Sequence, residues 1–230
     1  MNEFFVILFL GIMLGNVAMG SEILPELKKY ADDSAGDINL IPSERQVQLD
    51  EIAAYLTNRV QQGKNIDMTF ICTHNSRRSH ISQLWAAVAT EYYGIPNVRT
   101  YSGGTEATAF NHRSVRAMKK AGFSIDVLED GKNPVYLCKF ADGKEPLKAF
   151  SKVYDEKSNP QSDFIAVMVC SDADEACPFV SGAAERFSLP YDDPKNFDNT
   201  ELEESKYDER TKQIATEILY LFSKVRNKVN

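Results

Sequence analysis

Apolar positions along the chain repeat with two different periods, and each period predicts an element. Leu49, Ile52, Ala53, Leu56 and Val60 recur at helical spacing. They predict a helix over 43–62, with Ser43 as N-cap, Gln46 as its capping-box partner and Gly63 as its stop. The run IDMTFIC at 66–72 reads as a buried strand that enters a polar loop and a second helix from Ser79 to about Tyr92. Further on, a strand at 97–102 turns at Gly103-Gly104, a helix is capped by Asn111 and ended by Gly122, and a hairpin centres on 141–144. The apolar strand 164–170, a short strand at 185–189 and a last helix from about Tyr207 complete the pattern. That helix aligns Ile214, Ile218, Leu221, Phe222 and Val225 on one side. The stretch before Pro42 is polar and reads as loop. Strands alternating with helices predict an α/β fold with a parallel sheet covered on both faces.

The first apolar run, FFVILFLGIMLG, has the length of a signal-peptide core, and Ala18-Met19-Gly20 places small residues where a signal peptidase cuts. It predicts a signal peptide over 1–20 and an exported, periplasmic protein, although Asn2 and Glu3 supply none of the usual basic residues. A leader that does not function leaves the chain cytoplasmic. The remaining chain divides into an N-terminal helical extension over 21–63 and a domain over 64–230.

Composition narrows the function classes. With 230 residues, 43% hydrophobic and 26% charged, the chain is too apolar for disorder and has too few long apolar runs for a polytopic membrane protein. Its formal charge of −7, from 26 basic and 33 acidic residues, argues against nucleic acid and against membrane binding beyond the leader. An anionic ligand therefore needs a local device, and the four cysteines mark where to look.

Cys72 opens the segment CTHNSRRS, a C-x5-R-S spacing at a strand-to-helix turn. Successive backbone N–H groups of a short loop that feeds a helix N-terminus can converge on a tetrahedral oxyanion, and the helix dipole reinforces them. Thr73, His74, Asn75, Ser76, Arg77 and Arg78 would line such a nest, with Arg78 closing over the anion through its planar fork. The same field favours a thiolate at the strand end, and a thiolate is the nucleophile. Ser79 is placed to donate to that sulfur, and Asn75 to pin the loop in an unusual backbone conformation.

Residues from about 66 to 225 resemble the low-molecular-weight protein tyrosine phosphatase superfamily. Beyond the cysteine loop, Ser102-Gly103-Gly104-Thr105 is similar to its S-x-G-T, the helix from Asn111 to Gly122 to its second helix, and Tyr191-Asp192-Asp193-Pro194 to its late D-P. The resemblance implies a three-layer sandwich with a four-stranded parallel sheet, here with an added N-terminal helix and an inserted β-hairpin. It also implies that Asp193, or failing it Asp192, is a general acid. The segment CSDADEACP, a C-x6-C at 170–177, looks like the arsenate reductase branch, which is coupled to thioredoxin. In that branch Cys72 attacks arsenate, Cys170 attacks the sulfur of the adduct, and Cys177 then takes Cys170 into a disulfide that an external thioredoxin-like dithiol reduces.

Other readings stay open. The Cys170 and Cys177 pair could be a permanent disulfide of an exported protein. The complete C-x5-R-S and D-P set also fits a phosphomonoesterase that works through a cysteinyl phosphate, and a non-catalytic oxyanion-binding module is a third possibility. Lys195 and Asn196 follow the D-P where tyrosine phosphatases commonly carry tyrosines, which disfavours phosphotyrosine. No metal or bound cofactor is expected, since His74, His80 and His112 fit no ligand spacing. His74 reads as a loop residue tolerant of positive φ, His80 as a helix-start residue, and Cys138 as a small buried one. The region 124–160, longer than in compact relatives, is a candidate lid, partner surface or additional core.

Overall fold

The computed structural model describes residues 22–229, so the leader expected over 1–20 lies outside the described residues. In chain order the elements are β1 (Glu22–Ile23), α1 (Pro25–Gly36), α2 (Ser43–Gln61), β2 (Ile66–Cys72), α3 (Arg78–Tyr93), β3 (Val98–Gly104) and α4 (His112–Lys120). They continue with β4 (Ser124–Glu129), β5 (Val135–Lys139), β6 (Ala141–Asp142), β7 (Leu147–Ala149), β8 (Phe164–Met168), α5 (Ser171–Ala176), β9 (Ala183–Ser188) and α6 (Glu203–Val229).

The central sheet is four-stranded and parallel, in the order β3-β2-β8-β9. All five residues of β8 are buried and β2 is buried along nearly its whole length, as expected of central strands covered on both faces. Chain order reverses at β2: β3 lies on one side of it and β8 on the other. Such a reversal opens a crevice at the carboxyl ends of the two adjacent strands. Cys72 ends β2, and Cys170 follows β8 by two residues, so both cysteines belong to that crevice.

The fold differs from the sequence expectation in several places. The polar stretch before Pro42 contains α1, which buries only Leu27, Ala31 and Ser34. Two apolar residues at spacing i, i+4 are too faint a period to read against solvated neighbours. Burying Leu27 is nonetheless worth roughly 1.5–3 kcal/mol. Helix α1 sits close to Gly122, where a Cβ would lie 2.4 Å from the backbone nitrogen of Leu27. Ser43 is not the N-cap of α2; Pro42 is, and the Gln46 amide donates instead to the Ile41 carbonyl at 2.9 Å. Pro42 takes the extended cap conformation without strain, which moves the cap one residue earlier. Strand β8 stops at Met168, short of Cys170, and α6 begins at Glu203 rather than near Tyr207, its first turn carrying Glu203 and Glu204 in keeping with the helix dipole.

The inserted region is larger than one hairpin. Strands β4, β5 and β7 form an antiparallel three-stranded sheet, and β6 pairs with β1 through Ile23 and Ala141. Cys138 is fully buried in β5, where burial raises its thiol to about 12. Trp85 is likewise buried, stacked on Tyr30 of α1 at 5.3 Å between ring centroids. Among the described residues no helix is long and apolar enough to cross a membrane.

Candidate active site

The loop between β2 and α3 is held from several directions at once. Asn75 adopts φ 44, the left-handed conformation, rather than His74 for which it was expected. Its side-chain Oδ1 accepts from the Lys152 backbone N–H at 2.9 Å, which orients Nδ2 to donate to Ser79 Oγ at 2.9 Å. Ser79 Oγ lies 3.1 Å from Cys72 Sγ. Since that hydroxyl already accepts from Asn75, its one hydrogen is free for the sulfur. Ser76 Oγ donates to the Ala109 carbonyl at 2.7 Å, and the His74 carbonyl accepts from Ser151 Oγ at 2.9 Å. Gly104 lets the end of β3 approach, because a Cβ there would meet Glu106 O at 2.3 Å and Asn75 N at 2.7 Å.

Among the described residues, no backbone N–H from Thr73 to Arg77 has a protein acceptor. Helix α3 begins at Arg78 with Arg77 as an N-cap whose side chain caps nothing. Unpartnered N–H groups at a helix start are free to receive an anion.

Arg78 is buried and fixed. Its Nη1 donates to the Tyr191 carbonyl at 2.8 Å and its Nη2 to Asp193 Oδ2 at 2.8 Å, while Nε is buried without a partner. Asp193 also accepts from the Lys195 backbone N–H at 3.0 Å. Asp192, by contrast, is 96% exposed and lies 3.5 Å from Arg210. Both aspartates line the cavity described below, but Asp193 is the one that pairs with Arg78. Arg77 points elsewhere than expected: its Nε donates to Tyr207 Oη at 3.0 Å, and its other nitrogens stand 3.7 Å from Asp193 and 3.9 Å from Asp198. Only its backbone can line the nest. The His74 side chain is half exposed, 3.7 Å from Glu106. A cavity of about 330 Å³ lies between Thr73, Arg78, Ser171, Asp193 and Lys195.

All four cysteines are free thiols in this structure. Cys170 is buried beside the nest, its Sγ 3.5 Å from Thr73 Oγ1. It is the N-cap of α5, and Cys177, partly exposed, is the C-cap. Two buried groups flank the loop on its far side. Burial, together with the charge of Lys152, holds the His80 imidazole well below its ordinary value, and burial lowers Lys152 to about 8. Sequence reasoning missed Ser151, Lys152 and Tyr207. They contact the loop from 77 to 130 residues away, and no local pattern announces them. Among the described residues, no three His, Cys, Asp or Glu side chains cluster as a metal site does.

No protein-family model matches the chain. Arsenate reductase 2 of Staphylococcus epidermidis is 30% identical over 127 residues, spanning 54% of this chain and 76% of that one. The arsenate reductase of Brevibacillus brevis is 32% identical over 126 residues, spanning 54% and 74%. Among solved structures, the low-molecular-weight protein tyrosine phosphatase from T. tengcongensis aligns with a TM-score of 0.48 at 15% identity, over 70% of this chain and 99% of that one.

Proposed function

Given that the chain belongs to the arsenate reductase branch of the low-molecular-weight protein tyrosine phosphatase superfamily, we propose that it reduces arsenate to arsenite through Cys72, Cys170 and Cys177. The observation that carries the reading is the run of unpartnered N–H groups from Thr73 to Arg77 in the loop that Cys72 opens, together with the unpartnered Nε of Arg78. A tetrahedral oxyanion satisfies these donors, and its central atom then stands before the nucleophile.

In the first step the Cys72 thiolate, accepting from Ser79, attacks arsenic, and an arsenate oxygen leaves as water after protonation by Asp193. In the second, the Cys170 thiolate attacks Cys72 Sγ: a Cys72–Cys170 disulfide forms, the sulfur–arsenic bond breaks, and its electron pair leaves on arsenic as arsenite. In the third, the Cys177 thiolate attacks Cys170 Sγ and releases Cys72 as thiolate. The two electrons given to arsenic thus come from the relay cysteines, and an external dithiol of the thioredoxin kind restores them at partly exposed Cys177.

The last exchange demands a conformational change. Residues 170 and 177 at the two ends of a helix are about 10 Å apart at a rise of about 1.5 Å per residue. A disulfide requires Cα atoms within about 7 Å. Helix α5 must therefore unwind, and at six residues it is short enough to do so.

A second reading, phosphomonoester hydrolysis, is favoured by the Asp193–Arg78 pair, which needs no relay cysteine. One preparation assayed in parallel for arsenite formation with a dithiol and for phosphate release from an aryl phosphate separates the two. Arsenite turnover is expected, and Cys72→Ser is expected to abolish it. Phosphate release without any arsenite would instead favour the hydrolase.

A further inference from the structure

We propose that Arg186 is a latch on α5 that sets the thiol–disulfide equilibrium of Cys170 and Cys177, an inference that rests on the relay reading above. Arg186 lies on β9, the edge strand of the parallel sheet next to β8. Its Nε donates to the Cys177 carbonyl at 3.0 Å, and its Nη2 donates to the Asp174 carbonyl at 2.7 Å and to Asp174 Oδ1 at 2.6 Å. The other carboxylate oxygen of Asp174 accepts from Ser188 Oγ at 2.6 Å. The pair is three-quarters buried, with side chains 24% and 25% exposed.

One guanidinium therefore spans the last turn of the relay helix. Helix α5 has acidic Asp172 and Asp174 in its first turn and no basic residue in its last. The cation that its C-terminal carbonyls favour is supplied from the neighbouring strand. These carbonyls belong to the segment that has to rearrange when Cys177 reaches Cys170. Forming the Cys170–Cys177 bond returns the displaced electron pair to Cys72 as thiolate, and in the same event Arg186 loses its acceptors on the unwound turn. The latch stabilises the dithiol and not the disulfide, so it makes the pair a better oxidant of its external donor. It also keeps Cys177 away from the nest until Cys170 has reacted. Arg186 does not touch the oxyanion loop; it is a positioning residue that acts through the backbone of α5.

The test isolates the pair in the full chain carrying Cys72→Ser. The chain is equilibrated with mixtures of reduced and oxidised dithiothreitol, and the disulfide fraction is read by alkylation and mass. Arg186→Gln is expected to shift the equilibrium constant roughly tenfold toward the disulfide, about 30 mV more negative for a two-electron couple. Arg186→Lys keeps a charge beside Asp174 without the fork and is expected in between. Ser188→Ala frees Asp174 on one side, shifts the constant in the same direction by less, and serves the same purpose if Arg186→Gln does not fold. Binding of inorganic phosphate by the Cys72-intact chain is expected to be the same with and without Arg186→Gln. Folded variants with an unchanged equilibrium constant overturn the latch alone. A pair that stays dithiol in every mixture, even with Arg186 intact, overturns the relay reading beneath it.

Discussion

The loop after β2 and helix α5 are neighbours at the carboxyl edge of one sheet, yet they are held in opposite ways, as the opposite parts proposed for them require. In the loop, Asn75 alone ties together the nucleophile's partner Ser79 and the backbone of Lys152, and Ser76 and His74 are tethered to separate segments. Helix α5 is a single turn and a half whose two cysteines sit at opposite caps and whose outer hold is Arg186. Stabilising a charge that develops in place calls for donors that do not move. Passing a disulfide from one sulfur to the next calls for a segment that does. The contrast teaches that the hold on each region matches the step proposed for it, since the loop is tied to several separate segments and the six-residue α5 is gripped chiefly from one neighbouring strand.

The sharpest way to break the comparison is to remove the end of the relay. With Cys177→Ser, repeated arsenate turnover with a dithiol protein donor is expected to fall at least a hundredfold, order of magnitude, while one equivalent of arsenite per chain still forms and Cys72 is trapped in a mixed disulfide with Cys170. Rapid-quench arsenite measurement against protein concentration checks this. Undiminished steady-state turnover would mean that the two regions are not coupled.

A change within the cradle should act on the opposite step. Asn75→Ala deletes both tethers and leaves a non-glycine residue at φ 44, so a loss of roughly 2–4 kcal/mol of stability or a correspondingly weakened phosphate affinity is expected. The redox equilibrium of Cys170 and Cys177 should not follow it. Denaturant unfolding and phosphate titration on the same variant read both quantities.

The smallest expected effect comes from behind the loop. Burial lowers Lys152 to about 8, with Glu156 a weaker influence in the other direction. Below pH 8 the folded chain carries this cation largely out of water, whereas the unfolded chain keeps it hydrated. Between about pH 8 and the ordinary lysine value near 10.4 the unfolded chain binds the additional proton, so Lys152 makes stability rise with pH through that window. Lys152→Met should therefore raise stability at pH 7 by on the order of 2 kcal/mol and flatten that rise. Urea unfolding at pH 7 and pH 9 tests it, and a variant with the parent's pH profile would remove Lys152 as its source.

Much of this molecule is written locally. The spacing C-x5-R-S gives the loop its length, and the apolar run before it is a central strand for the plain reason that five consecutive buried positions need two covered faces. Asn111 caps α4 through Arg113 N–H, as its residue type predicts. Where the reading failed, the signal was weak or distant. Helix α1 shows too few apolar residues to declare its period, Ser43 and Pro42 compete for one cap, and the Arg77 side chain, expected on the anion, is drawn away by Tyr207 and Asp198. Ser151, Lys152 and Arg186 carry no motif at all.

By itself the sequence determined the strands of the parallel sheet and the helices between them, the C-x5-R-S spacing of the loop after β2, and the C-x6-C spacing of Cys170 and Cys177, because periodicity and short spacings are properties of neighbouring residues. Only the tertiary structure decided that Asp193 and not Asp192 faces Arg78, that Ser151 and Lys152 of the segment after β7 brace the loop, and that a strand-borne arginine grips α5. Those are matters of which distant surfaces meet, and they are settled by the packing of the whole core rather than by any segment of it.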